Sequence, residues 1–71
     1  MATEICAEMV ANVIQIVVGP DDVVAAGATL LILESMKMEI PVLAEHGGTV
    51  AEVRVTEGDV VQEGDILVVL A

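Results

Sequence analysis

Asp22–Leu33 reads DVVAAGATLLIL and Asp59–Leu70 reads DVVQEGDILVVL, so nearly the same segment occurs twice in the chain. Six of the twelve positions are identical, including the first aspartate and the central glycine. Some valine matches are expected by chance in a valine-rich chain, but aspartates and glycines paired at a constant offset of 37 indicate an internal repeat. Because two copies are too few for a solenoid, the repeat predicts a pseudo-twofold domain that closes on itself.

The repeat extends outward without gaps, residues 5–34 aligning on residues 42–71. Each copy contains short segments rich in valine, isoleucine and leucine, separated by turns, and no stretch has good helical periodicity. The pattern predicts an all-β sandwich or flattened barrel. The eight predicted strands are Thr3–Ala7, Asn12–Val18, Val23–Val24, Thr29–Glu34, Pro41–Ala44, Thr49–Val55, Val60–Val61 and Ile66–Leu70.

Composition agrees with one small β domain covering residues 1–71. The chain is 56% hydrophobic without a single aromatic residue, so its core must be built from valine, isoleucine and leucine. The longest mostly apolar run, Val23–Leu33, is too short to span a bilayer. A net charge of −10 argues against nucleic acid or an anionic membrane as partner and suits docking onto basic protein surfaces.

The amino-terminal sequence and the single cysteine favour a cytoplasmic protein. The N-terminus lacks the basic and apolar regions of a signal peptide, and one cysteine, Cys6, fits a reducing compartment. Cys6 lies between Ile5 and Ala7 and is predicted to be a small buried hydrophobe. No linker precedes Ile5, so we expect a free-standing protein, although an excised carboxyl-terminal domain would have the same sequence.

The two copies are joined by Glu34-Ser35-Met36-Lys37-Met38-Glu39. Lys37 is the only lysine, and Arg54 is the only other cationic residue against twelve acidic ones. If the twofold holds, this junction corresponds to the place where the chain begins and ends. The two termini should therefore lie together at one pole, with Lys37 alone at the other.

The junction also contains local features that disfavour folding. In a two-residue turn Met36 and Lys37 would need positive φ, which Asn-Gly normally supplies, and Glu34 would face Glu39 across the hairpin. Neither feature has an evident folding benefit, and such departures from local preference are expected at functional sites.

These residues resemble the biotin/lipoyl-attachment family, whose biotin carriers, including the small stand-alone ones of actinobacteria, have Met-Lys-Met at a β-hairpin. The resemblance extends from Ile5 to Leu70 and implies a flattened barrel of two four-stranded antiparallel sheets. It implies that a biotin protein ligase attaches biotin to Lys37. A biotin carboxylase then loads a carboxyl group, which a carboxyltransferase passes on, commonly to an acyl-CoA. The carrier itself catalyses nothing, and we expect a monomer when it is free.

The resemblance assigns roles to the other junction residues. Met36 and Met38 are soft apolar groups that the ligase can grip, while Glu34, Ser35 and Glu39 form the hairpin context. Ala7–Ala11 lacks the proline and glycine that many members have near the first strand, so that loop can differ in shape. His46 is predicted to be an exposed loop residue, not a metal ligand, since no second set of ligands has suitable spacing.

Two alternatives remain open. A lipoyl carrier of a 2-oxoacid dehydrogenase-type system has the same fold and also uses a hairpin lysine, but usually within Asp-Lys-Ala; Met36 and Met38 argue against it. The second alternative is an unmodified β domain that serves only to bind other proteins, and the unique lysine argues against this alternative.

Overall fold

The structure, a computed structural model, describes residues 2–71 and contains two four-stranded antiparallel sheets, as predicted. The prediction of eight strands is confirmed. In chain order they are β1 (Thr3–Cys6), β2 (Ala11–Ile16), β3 (Val23–Val24), β4 (Thr29–Ser35), β5 (Met38–Leu43), β6 (Gly48–Val53), β7 (Val60–Val61) and β8 (Ile66–Leu70).

The order of strands in the two sheets follows the repeat. One sheet has the order β1-β8-β6-β3 and the other β5-β4-β2-β7, so each strand of the first copy occupies the position of its partner in the other sheet. Register is conserved as well: Thr3 faces Leu70, and Ile40 faces Leu33, at positions related by the offset of 37. The pseudo-twofold therefore relates individual residue pairs as well as whole strands.

Hydrogen bonds between the copies obey the same symmetry. The Val13 amide donates to the Asp59 carbonyl over 2.8 Å, and the equivalent Val50 amide donates to the Asp22 carbonyl over 2.8 Å. The same aspartates hold the two long turns, because Asp22 Oδ2 accepts from the Gly19 amide at 2.8 Å and Asp59 Oδ2 from its counterpart, the Thr56 amide, at 2.9 Å. Such side-chain acceptors satisfy turn amides that have no ladder partner.

Among residues 2–71 the core contains aliphatic side chains from both copies, seven from the first and six from the second. Val13 and Val50 are 1% and 0% exposed, and Leu33 and Leu70 are 2% and 3% exposed. Alternation along the strands places these side chains between the sheets. The other buried residues are Ala7, Ala11, Val24, Leu30, Leu31, Ala44, Val61, Leu67 and Val68.

The prediction for Cys6 is wrong, since this residue is exposed. Ile5 and Ala7 face the interior, and side chains on a strand alternate, so the residue between them must point outward. Flanking hydrophobic residues therefore indicate an exposed cysteine in a half-buried strand.

Strand boundaries differ from the prediction by one residue at the ends of β1 and β4, and by more at β2, β5 and β6. The pairing of β2 ends at Ile16 and that of β6 at Val53, before the turns held by Asp22 and Asp59. In contrast, β5 begins at Met38, because its pairing with β4 continues to the tip of the hairpin. β5 is an edge strand, where Pro41 is tolerated because one side of the strand has no ladder that needs its missing N–H.

Thr3 and Leu70, near the two ends of the described residues, lie at the opposite end of the molecule from the central hairpin, and the molecule measures 32 × 18 × 17 Å. Asn12 at the start of β2 faces Glu34 near the hairpin tip. The chain then runs away from the tip to Asp21, whose amide donates to the Val50 carbonyl, and Val50 faces Leu70 at the end of β8. This confirms the expected separation of the hairpin from the termini. Residues 2–71 contain no helix long and apolar enough to cross a membrane.

Candidate functional site

The hairpin between β4 and β5 ends in a two-residue turn formed by Met36 and Lys37. Ser35 and Met38 face each other as the last pair of the ladder, which leaves only these two residues in the loop. Their φ angles are 53° and 64°, the left-handed values that a type I′ turn requires at both central positions. The prediction of positive φ at both residues is confirmed. Neither is glycine, asparagine or aspartate, so both carry a steric cost.

The side chains of the turn project into solvent. Met36 is 93% exposed and Met38 is 62% exposed, and Lys37 is also exposed. Within residues 2–71 the only ion pair joins Arg54 Nη1 to Glu52 Oε1 at 3.1 Å, so the Lys37 ammonium has no carboxylate partner there. The hairpin thus presents one unpaired amine, flanked by two apolar side chains, at the end of the molecule.

Acidic residues lie directly below the turn. Glu34 and Glu39 face each other across β4 and β5, as the sequence predicted, and Glu34 and Ser35 are half-buried while Glu39 is exposed. Because directly opposed residues share a face, two like charges are close together one pair below the turn. All six residues of the junction are therefore brought together, in the arrangement inferred from the sequence.

The sheet adds neighbours that the sequence analysis did not identify. Asn12 of β2 faces Glu34, and Val60 of β7 faces Asn12. With Glu39 these residues form a row across the outer face of the sheet below Lys37. Only the register of strands distant in sequence reveals this row, and single-sequence patterning does not supply that register.

His46 is exposed, as predicted, in the turn before β6. Among residues 2–71 no group of three or more histidine, cysteine, aspartate or glutamate residues is arranged to hold a metal ion. The chemistry available at the hairpin is therefore that of an exposed primary amine, which forms an amide with an activated carboxylic acid. This fits a cofactor carried on a lysine through an amide bond.

Comparison with known proteins points to the same chemistry. The family model described as "Biotin-requiring enzyme" matches residues 1–70. The biotinylated protein TB7.3 homolog of Mycobacterium leprae is 49% identical over 71 residues, covering 100% of both chains.

Solved structures share the fold. Kluyveromyces lactis urea carboxylase matches with a TM-score of 0.93 and 31% identity, over 100% of this chain and 6% of that one. The lipoyl domain of the 2-oxoglutarate dehydrogenase complex from Azotobacter vinelandii matches with a TM-score of 0.76 and 31% identity, over 87% of this chain and 78% of that domain. The fold therefore occurs both in a carboxylase and in a lipoyl domain.

Proposed function

Since the chain belongs to the biotin/lipoyl-attachment family, we propose that it is a single biotinyl domain over residues 1–71, which carries biotin as an amide on Lys37. It acts as a non-catalytic carrier for a biotin-dependent carboxylase. The observation that carries the proposal is the exposed Lys37 amine in a positive-φ turn, between Met36 and Met38. Lys37 is also the only side-chain amine in the sequence.

The residues of the hairpin have different roles in the attachment of biotin. Lys37 supplies the nucleophilic nitrogen, and amide formation removes its positive charge. Met36 and Met38 offer a biotin protein ligase two polarizable apolar side chains that need no desolvation of polar groups. Glu34, Ser35 and Glu39 hold the base of the hairpin and give it an acidic character that the ligase can read.

Attached biotin supplies a ring nitrogen that takes up and releases a carboxyl group. The domain holds that group on a tether and presents it first to a biotin carboxylase and then to a carboxyltransferase. The carboxyltransferase passes the carboxyl group to an acyl-CoA thioester. Tethering replaces diffusion of a free cofactor with a high effective concentration at both sites. The protein works as a cytoplasmic monomer that docks on these partners in turn, and a nucleic acid or membrane partner is disfavoured by its charge of −10.

The experiment that tests the site is attachment by a biotin protein ligase in vitro, read by intact mass and streptavidin blot. Wild-type protein should gain one biotin, and Lys37→Arg should gain none, because arginine keeps the charge but has no nucleophilic amine. The matched control adds Arg54→Lys to that variant. It restores one exposed lysine at a different place and should remain unlabelled. Labelling of either variant would contradict the assignment to Lys37.

A lipoyl carrier is the second candidate because the lipoyl domain has the same fold. Mass spectrometry of the protein from its own host separates the two, since biotin and lipoate add different masses. An unmodified mass in biotin-replete cells would favour the interaction domain instead.

A further inference from the structure

A groove of about 410 Å³ separates the edge strands β1 and β5. Ile5 and Val42, both half-buried, line it, and so do the buried side chains of Leu33 and Leu70. Each pair is related by the offset of 37, so the groove lies on the pseudo-twofold axis. Neither β1 nor β5 pairs with another strand on this side, within residues 2–71.

Hydrogen-bond alternation shows which backbone groups face the groove from β5. Ser35 and Met38 close a two-residue turn, so they form a hydrogen-bonded pair. In an antiparallel ladder bonded and non-bonded pairs alternate, and the Ile32–Pro41 pair is three steps further along. It is therefore non-bonded, and the nitrogen of Pro41 points away from β4 toward the groove. Because proline has no N–H to donate there, the edge of β5 is less able to pair with a further strand.

The corresponding edge of β1 is open. Glu4 aligns with Pro41 and faces Val69 as Pro41 faces Ile32, so its backbone N–H and C=O point away from β8 toward the groove. Unlike Pro41, Glu4 has an N–H to donate. The two halves of the groove thus differ in their capacity to bind a further strand.

The charged side chains that line the groove are carboxylates, and one histidine, His46, lies among them. The exposed side chains of Glu4, Glu8 and Glu45 line it, and neither Lys37 nor Arg54 does. A segment bearing lysine or arginine would find three carboxylates there.

We propose that this groove receives an extended, cationic segment of another protein, which adds as a strand to the free edge of β1. Strand addition uses the backbone groups of Glu4, while an aliphatic side chain of the segment packs against Ile5 and Val42. Ile40, which also lines the groove, is three residues from Lys37 and thus about 10 Å from it along the strand. A partner held here is adjacent to the hairpin without covering the lysine, so this surface is additional to the attachment site.

The test is a titration of ¹⁵N-labelled protein with a short peptide that alternates lysine and valine. Backbone amide shifts should move in β1 and along the groove, and those of the opposite edge strands β3 and β7 should not. A peptide that alternates glutamate and valine should leave all of these shifts in place. A third peptide has the lysine–valine sequence, but the backbone amides that would donate hydrogen bonds to β1 are N-methylated. It keeps the charge, removes strand pairing, and should bind about fivefold more weakly, the worth of one net hydrogen bond.

Two variants of Glu4 separate backbone pairing from charge. Glu4→Pro gives β1 the residue that β5 already has at the equivalent position, so the fold should persist, which thermal unfolding checks. Glu4→Gln removes the same charge but keeps the N–H. We expect Glu4→Pro to bind the lysine–valine peptide about fivefold more weakly than Glu4→Gln.

Four results would overturn the proposal. Equal affinity of the two Glu4 variants would show that the β1 edge is not used, and shifts centred outside the groove would place binding elsewhere. Movement of the β1 amides with protein concentration alone would make a second copy of this chain the occupant. If Glu4→Pro does not fold, the N-methylated peptide decides, and undiminished binding by it contradicts strand addition.

Discussion

Met36 and Lys37 both hold φ values that ordinary residues avoid, and their side chains pack against almost nothing. Replacing them with Asn and Gly, the preferred pair for this turn, should therefore raise the free energy of unfolding by about 1–2 kcal/mol, measured in urea. Asp21→Gly is the control at the third non-glycine residue with a positive φ, where the other copy already has Gly58. It should give a smaller gain because aspartate tolerates this conformation better. Unchanged stability of the hairpin variant would show that the turn is not strained.

The two methionines should matter for recognition and not for folding. Replacing Met36 by Asp and Met38 by Ala should shift modification from biotin toward lipoate when each ligase is offered its substrate, as read by intact mass. The melting temperature should change little, because these side chains are 93% and 62% exposed and bury little area. A large loss of stability would place the methionines in the core and contradict the recognition role.

At the level of the strands, two equivalent turns depend on glycine. Gly27 and Gly64 have φ of 87° and 92°, and a Cβ added at either would meet no atom within 4 Å. Substitution by alanine should cost about 1–2 kcal/mol at each site through backbone conformation alone. Gly19→Ala is the matched control, because its surroundings are equally open and its φ is not in this region. Chemical denaturation should show equal losses for the first two variants and almost none for the third.

The strands also show where sequence reasoning succeeded and where it could not. The repeat places Asp21, which has a positive φ, at the position equivalent to Gly58 in the second copy. Sequence reasoning predicted the two-residue turn and the pairing of Glu34 with Glu39, because these residues are contiguous. The prediction that Cys6 is buried was wrong because it relied on the hydrophobic residues on either side and not on the alternation of side chains along a strand. The groove could not be predicted from the sequence. It forms because β1 is the edge strand of one sheet and β5 is the edge strand of the other, and the sequence pattern does not show that these two edges are adjacent.

For the whole molecule, the twofold predicts that equivalent core positions contribute equally to stability. Val13→Ala and Val50→Ala should each lower the free energy of unfolding by about 1–3 kcal/mol, because both side chains are buried. Val23→Ala and Val60→Ala, at positions 83% and 66% exposed, should change it by less than about 0.5 kcal/mol. A marked difference within either pair, measured by urea unfolding, would show that the two copies share a fold but not a common energetic role.

The separation of the chain ends from Lys37 makes the domain suitable as an insertion label. Thr3 faces Leu70, so the chain enters and leaves the described part of the domain at neighbouring positions. The domain could thus be spliced into a surface loop of a host protein with short spacers and little disturbance of the host. It would stand out from that surface as a rod 32 Å long with the proposed biotin-attachment lysine at its tip. Such a geometry would hold the host at a fixed stand-off and orientation on a streptavidin-coated chip.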